Sequence, residues 1–314
     1  MLDILMIVLP VFVIVGLGWL ASKLKLITDP GIDVLLKFCT GIAIPCLLFS
    51  GVARLDLADT FKGSLLVSFY AGALISFAVG FVGARVIFKR RPGEAVAVGF
   101  CALFSNSLLL GIPVTERAYG TEALSANFAI LSIHAPLCYL VGIVAMEFAR
   151  ADGRSGMATV KAAARMMFRN SLTIGLALGL SVNLIGLPLP QPFFEGVQTL
   201  GRGGVPVALF ALGGAMTRYS LREGAGEAIF ASALALLLHP AITFALGHLG
   251  FGLEPRFLRS AVVTASMPPG INAYLFAIMY QRATGVAAST VLLATMLSVF
   301  TASGWLAALH VFAP

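Results

Sequence analysis

The chain is 314 residues long, 59% hydrophobic and 11% charged, with a formal net charge of +7 and a mean hydropathy of +0.97. A soluble domain would carry about 25% charged residues, so the composition excludes a water-soluble globular protein and predicts an all-α polytopic membrane protein. The positive balance does not point to nucleic acid, because the lysines and arginines sit in short loops between apolar segments, where membrane topology alone accounts for them.

A helix needs about 20 apolar residues to cross the hydrocarbon of a bilayer. On that measure spans are predicted at 2–22, 32–52, 62–88, 94–119, 121–148, 163–186, 192–217, 224–251, 255–282 and 285–312, ten in all. The first carries Asp3 with no basic residue before it, and Lys23 and Lys25 follow it. It is therefore expected to be a retained helix, with its N-terminus outside, and not a signal peptide. The second contains Pro45-Cys46-Leu47-Leu48-Phe49, and the third follows Asp56 and Asp59, close to Lys62. The fourth is interrupted by Ser105-Asn106-Ser107-Leu108-Leu109-Leu110-Gly111-Ile112-Pro113 and joined to the fifth by Tyr119-Gly120-Thr121. The fifth contains His134, near Pro136. The longest polar stretch, Arg150 to Asn170, leads into the sixth. The seventh repeats the P-x-x-L-F pattern of the second as Pro206-Val207-Ala208-Leu209-Phe210. The eighth places His239 before Pro240. The ninth is interrupted by Ser266-Met267-Pro268-Pro269-Gly270-Ile271-Asn272 and joined to the tenth by Ala283-Thr284-Gly285.

Of the 21 lysines and arginines, only Arg54, Lys62, Arg117, Arg202, Arg256 and Arg259 fall on the side of the even-numbered loops. The remainder lie in or beside the odd-numbered loops, which places those loops in the cytoplasm and both termini outside. The polar stretch divides the chain into a first five-span half at 1–150, a cytoplasmic linker at 151–170 and a second half at 171–314. Five is odd, so the second half enters the membrane from the opposite side, which is the condition for an inverted repeat. The shared P-x-x-L-F and the comparable positions of the two interruptions agree with that symmetry.

The interruptions carry the chemistry. In hydrocarbon every unpaired N–H or C=O costs several kcal/mol, so unwound backbone persists only where it is buried in protein or lines a cavity. Interrupted helices at matching places in two halves are the sequence pointer to a transporter binding site. Proline removes a donor and clashes with the carbonyl four residues back, so no helix runs through Pro268-Pro269-Gly270. Gly111 and Pro113 alone are also compatible with a simple bend. A half-helix N-terminus exposes free N–H groups and the positive end of a dipole, which hold an anion without a buried lysine. Asn106 and Asn272 add uncharged amide donors and acceptors. The candidate substrate-binding set is Ser105, Asn106, Gly111, Pro113, Pro268, Pro269, Gly270, Ile271 and Asn272.

These residues resemble the auxin efflux carrier family, which includes the plant auxin exporters and bacterial organic-acid permeases. Asn106 to Pro113 is similar to the family's N-T-L-x-x-G-I-P, and Tyr119-Gly120 follows at the family's distance. Pro268 to Ala277 resembles P-x-G-I-x-x-x-x-F-A, with Pro269 at the variable position, and Ala58-Asp59-Thr60 resembles an A-D-T before the third span. Arg169-Asn170 resembles R-N-P at the sixth span, except that Ser171 replaces the proline. The resemblance implies two inverted five-helix repeats with broken, crossing fourth and ninth helices. It also implies a scaffold of spans 1, 2, 6 and 7, a moving transport unit of spans 3–5 and 8–10, and a homodimer. The carboxylate substrate would sit at the crossing, near Asn106, Pro113 and Pro269, while the unit moves like an elevator. The long cytoplasmic loop of the plant exporters is absent, since Arg150 to Asn170 is short, and that favours a permease of a bacterial inner membrane.

Two ionisable residues admit two readings each. Asp59 is either an interfacial acid or, by analogy with the family, a proton- or cation-sensitive support for the moving unit. His134 is either a neutral packed side chain or a titrating group inside the membrane. His239 has the same two readings. Trp19 and Trp305 read as interface anchors. Cys39, Cys46, Cys101 and Cys138 lie inside apolar segments and read as packing residues, with no disulfide framework and no metal site.

The function expected is therefore secondary transport of small organic anions, either auxin-like or mono- and dicarboxylates such as malate or malonate, with no cofactor and no enzymatic activity. Direct ATP drive would need a G-x-x-x-x-G-K-[ST] loop, which the sequence lacks. The alternative is a cation/proton antiporter or sodium-coupled symporter on the same crossed-helix plan. An antiporter would want carboxylates in the interruptions, and neither contains one. An intramembrane enzyme finds no H-E-x-x-H and no G-x-S-x-G here.

Overall fold

The computed structural model describes residues 2–149, 171–219 and 224–313. Asn170 and the linker 151–170 lie outside the described residues. The described residues form helices joined by short turns, with one isolated antiparallel bridge, Ser105 to Pro269, and no strand. In chain order the helices are α1 (Leu2–Lys23), α2 (Asp29–Ala53), α3 (Gly63–Val86), α4 (Pro92–Leu103), α5 (Ile112–Tyr119), α6 (Leu124–Ala149), α7 (Ser171–Ile185), α8 (Gln191–Met216), α9 (Ala225–Gly250), α10 (Pro255–Ala265), α11 (Ile271–Tyr280) and α12 (Thr284–Phe312). A single turn at Leu57–Thr60 precedes α3, and wider π-type turns interrupt α2 at Cys39–Ala43 and α9 at Leu234–Leu238 and Ala245–Gly250.

Among the described residues, six helices are long and apolar enough to cross a membrane: α1, α2, α3, α6, α9 and α12. The other four expected spans do not appear as single long apolar rods, and the reasons are local. The fourth and ninth are each divided into two short helices, α4 with α5 and α10 with α11. The described part of the sixth is the 15-residue α7, because residues 163–170 fall outside the described range. The seventh, α8, has the length but carries Gln191, Glu195, Gln198 and Arg202 along its first half.

The chain divides into two compact units. One comprises Met1–Leu9, Phe61–Ala163 and Tyr219–Pro314, and the other Pro10–Thr60 and Ala164–Arg218. The second unit is held by close backbone approach. Gly175 and Gly179 stand one turn apart on α7, and a Cβ built on either would fall 2.5 or 2.6 Å from the carbonyl oxygen of Pro45 or Phe49 on α2. Small residues spaced by four are the means by which apolar helices come into close van der Waals contact where no hydrophobic drive exists. Beyond them, Asn183 donates from Nδ2 to the carbonyls of Val52 and Leu55, at 2.9 and 2.7 Å. It thereby ties α7 to the chain that leaves the end of α2. At the opposite end of the unit Arg218 pairs with Asp33 at 2.7 Å and Asp29 at 3.4 Å.

The first unit is held by ring packing and by hydrogen bonds between helices. Phe100 of α4 and Phe276 of α11 stack at 3.9 Å with an interplanar angle of 9°, so the half-helices before the first interruption and after the second share one core. Pro240 has no N–H, so within α9 the Leu236 carbonyl lacks its helical donor. Trp305 of α12 supplies one instead, from Nε1 at 2.9 Å. The interface anchor expected at Trp305 is thus a half-buried indole that repairs a proline defect in a neighbouring helix. Trp19 is 42% exposed, with the Lys23 ammonium over its ring. Arg90 joins Glu227 at 2.7 Å and Glu94 at 3.6 Å, tying the starts of α4 and α9.

Gly175→Val is expected to destabilise the second unit by about 1–3 kcal/mol or more, because the added branch must displace backbone and not a flexible side chain. Thermal unfolding of the purified variant, followed by size-exclusion chromatography, checks this. A melting temperature equal to that of the parent would show that α7 does not sit against Pro45.

Candidate functional site

The site forms where the two interruptions meet, inside the first unit. The start of α4 is set by Pro92 in its first turn, and by the Glu94 carboxylate, which accepts the Arg91 backbone N–H at 3.1 Å. α4 ends at Leu103, and Phe104 turns extended. Asn106 then caps the turn Ser107–Gly111, its Oδ1 accepting the Leu109 N–H at 3.2 Å. This is the usual work of an N-cap asparagine, placed here within a buried interruption. The turn is wide, since the Asn106 carbonyl accepts from both Leu110 and Gly111, at 3.2 and 3.1 Å. Pro113 follows in the first turn of α5, where its missing N–H is tolerated.

The second interruption is dictated by Pro268 and Pro269. Each bars the residue before it from helical geometry, so α10 stops at Ala265 and α11 restarts at Ile271. Ser266 closes α10 by donating from Oγ to the Val263 carbonyl at 2.8 Å. Gly270 begins α11 with no side-chain cap. Neither Ile271 nor Asn272 has a backbone hydrogen-bond partner for its N–H among the described residues.

The two segments pair directly. Ser105 and Pro269 form the antiparallel bridge, and the Asn106 N–H donates to the Pro268 carbonyl at 2.7 Å. Gly270 lies against the Asn106 carboxamide. A Cβ built there falls 3.1 Å from Asn106 Cγ and 3.3 Å from Oδ1. A Cβ built at Gly111 meets nothing closer than Met267 Cγ at 3.6 Å, an ordinary contact, and Gly111 has helical dihedral angles. Ser105, Asn106, Ser107, Ser266, Pro268, Pro269 and Gly270 are buried, whereas Ile271 and Asn272 are half-buried. Asn106 Nδ2 has no partner among the described residues, which leaves one side-chain donor beside the open amides of α11.

His134 belongs to this site. Its Nε2 lies 3.1 Å from the Ser105 carbonyl, which can only accept, so Nε2 carries the hydrogen. In the neutral ring Nδ1 is then an acceptor, and the Cys138 thiol lies 3.7 Å from it. The ring packs edge-on against Phe69 and Phe104, at centroid distances of 5.6 and 4.8 Å. His239 donates its Nε2 hydrogen to the Phe69 carbonyl at 3.2 Å, and its ring packs edge-on against the same phenyl ring at 4.9 Å. Asp59 lies in the second unit, half-buried in the turn Leu57–Thr60, with its N–H accepted by Asp56 Oδ1 at 3.0 Å.

Four side chains at the site, Tyr139, Asn127, Thr115 and Thr264, are not singled out by the sequence. Tyr139 donates its hydroxyl to Asn272 Oδ1 at 3.4 Å. Asn127, on α6, is 0% exposed and donates from Nδ2 to Thr115 Oγ1 at 3.1 Å and to Thr264 Oγ1 at 2.8 Å. Its Oδ1 is buried without a hydrogen-bond partner. Two such bonds contribute about 0.5–1.5 kcal/mol each and the unmet oxygen costs about 1–3 kcal/mol, so the amide adds little net stability and acts through direction. The available signal was a lone amide, Ala126-Asn127-Phe128, inside an apolar span. Thr115 and Thr264 carried none, because threonines in membrane helices commonly bond their own backbone.

Residues 3–306 match the family described as membrane transport protein. The chain belongs to this family, that of the auxin efflux carriers. It is 24% identical over 308 residues to the "Putative malonate transporter" of Rhizobium meliloti (strain 1021), covering 98% of this chain and 96% of that one. It is 26% identical over 312 residues to an "Uncharacterized transporter" of Methanothermobacter thermautotrophicus, covering 95% and 96%. Auxin efflux carrier component 8 of Arabidopsis thaliana is 24% identical over 329 residues, covering 87% of this chain and 88% of that carrier. A member of this family with six long apolar helices is an integral membrane protein and a membrane transporter.

The packing separates the two glycines of the site. Gly270→Ala is expected to push the Asn106 side chain aside at a cost of about 1–3 kcal/mol. Gly111→Ala is expected to be neutral or to stabilise by up to about 1 kcal/mol, since helical alanine replaces helical glycine with only ordinary contacts. Paired thermal-unfolding curves measure both, and equal destabilisation would contradict the contact between Gly270 and Asn106.

Proposed function

We propose that this chain is a secondary carrier of small organic anions, taking mono- or dicarboxylates of the malonate or malate kind or auxin-like acids. The observation that carries the reading is the N-terminus of α11. The Ile271 and Asn272 N–H groups open onto a buried interruption, beside the unengaged Asn106 Nδ2. A helix N-terminus favours an anion by about 0.3–1 kcal/mol at the surface and up to about 2 kcal/mol when partly buried. Each hydrogen bond to a carboxylate adds about 1.5–3 kcal/mol. Neutral donors hold the anion when it is present and leave no buried charge unpaired when it is absent. Coverage of nearly the whole of a relative whose name includes malonate supports a dicarboxylate.

In the same reading the chain forms ten spans in two inverted repeats, and the interrupted helices cross at the substrate. The odd-numbered loops lie in the cytoplasm of a bacterium, both termini lie outside, and two protomers pair. The unit of Pro10–Thr60 and Ala164–Arg218 is the scaffold, and the other carries the substrate across as an elevator. The division of contacts into two compact units supports this assignment, because a body that moves as a whole must keep its own core. Asp59, in the scaffold, is the proton-sensitive support.

Asn106→Ala removes one donor to a carboxylate and the cap of the first interruption. It is expected to weaken carboxylate affinity about 10- to 100-fold, each factor of ten being 1.4 kcal/mol. Purified protein is screened against carboxylic acids by thermal shift, with and without Na⁺ and across pH, and uptake is then followed in liposomes. A ligand stabilises the state it binds, so no shift with any carboxylate and no uptake under any gradient would overturn the carrier reading. A shift with Na⁺ alone would move the assignment to the cation carriers. Asp59→Asn is expected to flatten the pH dependence of uptake, and an unchanged profile would remove Asp59 from the cycle.

A further inference from the structure

Along α10 and into the interruption that follows it, three groups spaced by four residues make three ties. Ser260 Oγ donates to the Ala123 carbonyl at 2.9 Å, Thr264 Oγ1 accepts from Asn127 Nδ2 at 2.8 Å, and the Pro268 carbonyl accepts the Asn106 N–H at 2.7 Å. The first two ties fall one helical turn apart on both partners, 260 to 264 and 123 to 127, so α10 follows the start of α6 in register. The third is the hydrogen bond that joins the interruptions. The first also bonds within α10, to the Arg256 carbonyl at 3.1 Å, whereas the middle tie reaches a third helix. The same Asn127 Nδ2 also donates to Thr115 Oγ1 of α5, at 3.1 Å. Asn127 is therefore the one side chain among the described residues bonded both to the half-helix entering the second interruption and to the half-helix leaving the first.

The chemistry of the amide fits a clamp. One NH₂ group carries two hydrogens about 120° apart, which suits two acceptors on two different helices. A leucine of similar volume would fill the space and leave no orphaned oxygen, but it would hold neither helix at a fixed azimuth or height. The contact of the Gly111 position with Thr264 and Met267 places the same two elements side by side one turn closer to the bridge.

We propose that Asn127 is a positioning residue that sets the register of the two interruptions, with Thr115 and Thr264 as its two anchor points. It touches no substrate. Its work is to hold α5 and α10 so that Ser105 stands opposite Pro269 and the Asn106 carboxamide stands beside the open amides of α11. The effect on substrate rests on the carrier reading above, whereas the effect on register does not.

The test is hydrogen exchange of the full-length protein in nanodiscs, read in the peptide spanning 104–111, together with carboxylate uptake in liposomes. Asn127→Leu is expected to speed exchange of that segment about tenfold, while the middle of α12, which makes none of these ties, exchanges as in the parent. Thr115→Val and Thr264→Val each remove one anchor at nearly constant volume, and each is expected to produce a smaller change in the same segment. They keep the test decisive if Asn127→Leu does not fold. In uptake, Asn127→Leu is expected to raise KM at least fivefold with a smaller change in maximal rate, and Asn127→Gln to restore part of the loss. Exchange at 104–111 equal to the parent in the threonine variants, or faster exchange spread evenly through α12, would overturn the proposal. Faster local exchange in a protein whose parent moves no carboxylate would sustain the register role and refute the carrier reading.

Discussion

The organisation of the first unit depends on a constraint that is severe in an apolar interior: a backbone N–H or C=O without a partner costs several kcal/mol. Interrupting two helices exposes such groups twice over. The interruptions compensate one another, since the Asn106 N–H is met by the Pro268 carbonyl and Ser105 pairs with Pro269. Side chains meet most of what remains. Asn106 Oδ1 takes the Leu109 N–H, Ser266 Oγ closes the end of α10, and His134 takes up a lone pair of the Ser105 carbonyl. The first amides of α11 and Asn106 Nδ2 are among the donors left over.

The two units reach rigidity by different routes. In the unit of α2, α7 and α8, glycines bring helix backbones into contact, and polar groups such as Asn183 and Arg218 fasten the ends. In the unit that holds the interruptions, large rings fill the space around broken helices. Phe100 against Phe276 joins α4 to α11, and Phe69 packs edge-on against both His134 and His239. Broken helices have lost part of their own hydrogen-bond ladder, so neighbouring side chains must hold them. The same logic explains Trp305, whose indole N–H replaces the donor that Pro240 denies to Leu236. It also explains why Asn127 is kept buried with an unmet oxygen: its two donated bonds fix helices that packing alone would leave free to slide.

Much of this was legible in the amino-acid order. Two prolines followed by glycine cannot continue a helix, so the break after Ala265 needed no structure to be foreseen. The break before Ser107 was less evident, because Gly111 and Pro113 alone permit a bend. Its placement comes from Asn106, a good N-cap, and from the pairing with Pro268. Hydropathy alone marks the fourth and ninth spans only as apolar stretches, since it counts apolar residues and cannot see where the backbone unwinds within them; the prolines, glycines and asparagines inside them carry that signal. The partners of buried polar groups were illegible for a different reason. Asn127, Thr115 and Thr264 stand on three helices, Thr264 being 137 residues from Asn127, and nothing in their local neighbourhoods signals a shared contact.

The sequence by itself determined that the chain is apolar and helical, where its helices must fail, and that neither failure carries a charged side chain. These follow from composition and from the geometry of proline and glycine, which act locally. Only the tertiary structure decided that the two failures face one another, that His134 and Asn127 attend them, and which amides are left unpaired. Those outcomes depend on the packing of helices distant in sequence, where a hydrogen bond forms only if two surfaces arrive within about 3 Å of each other.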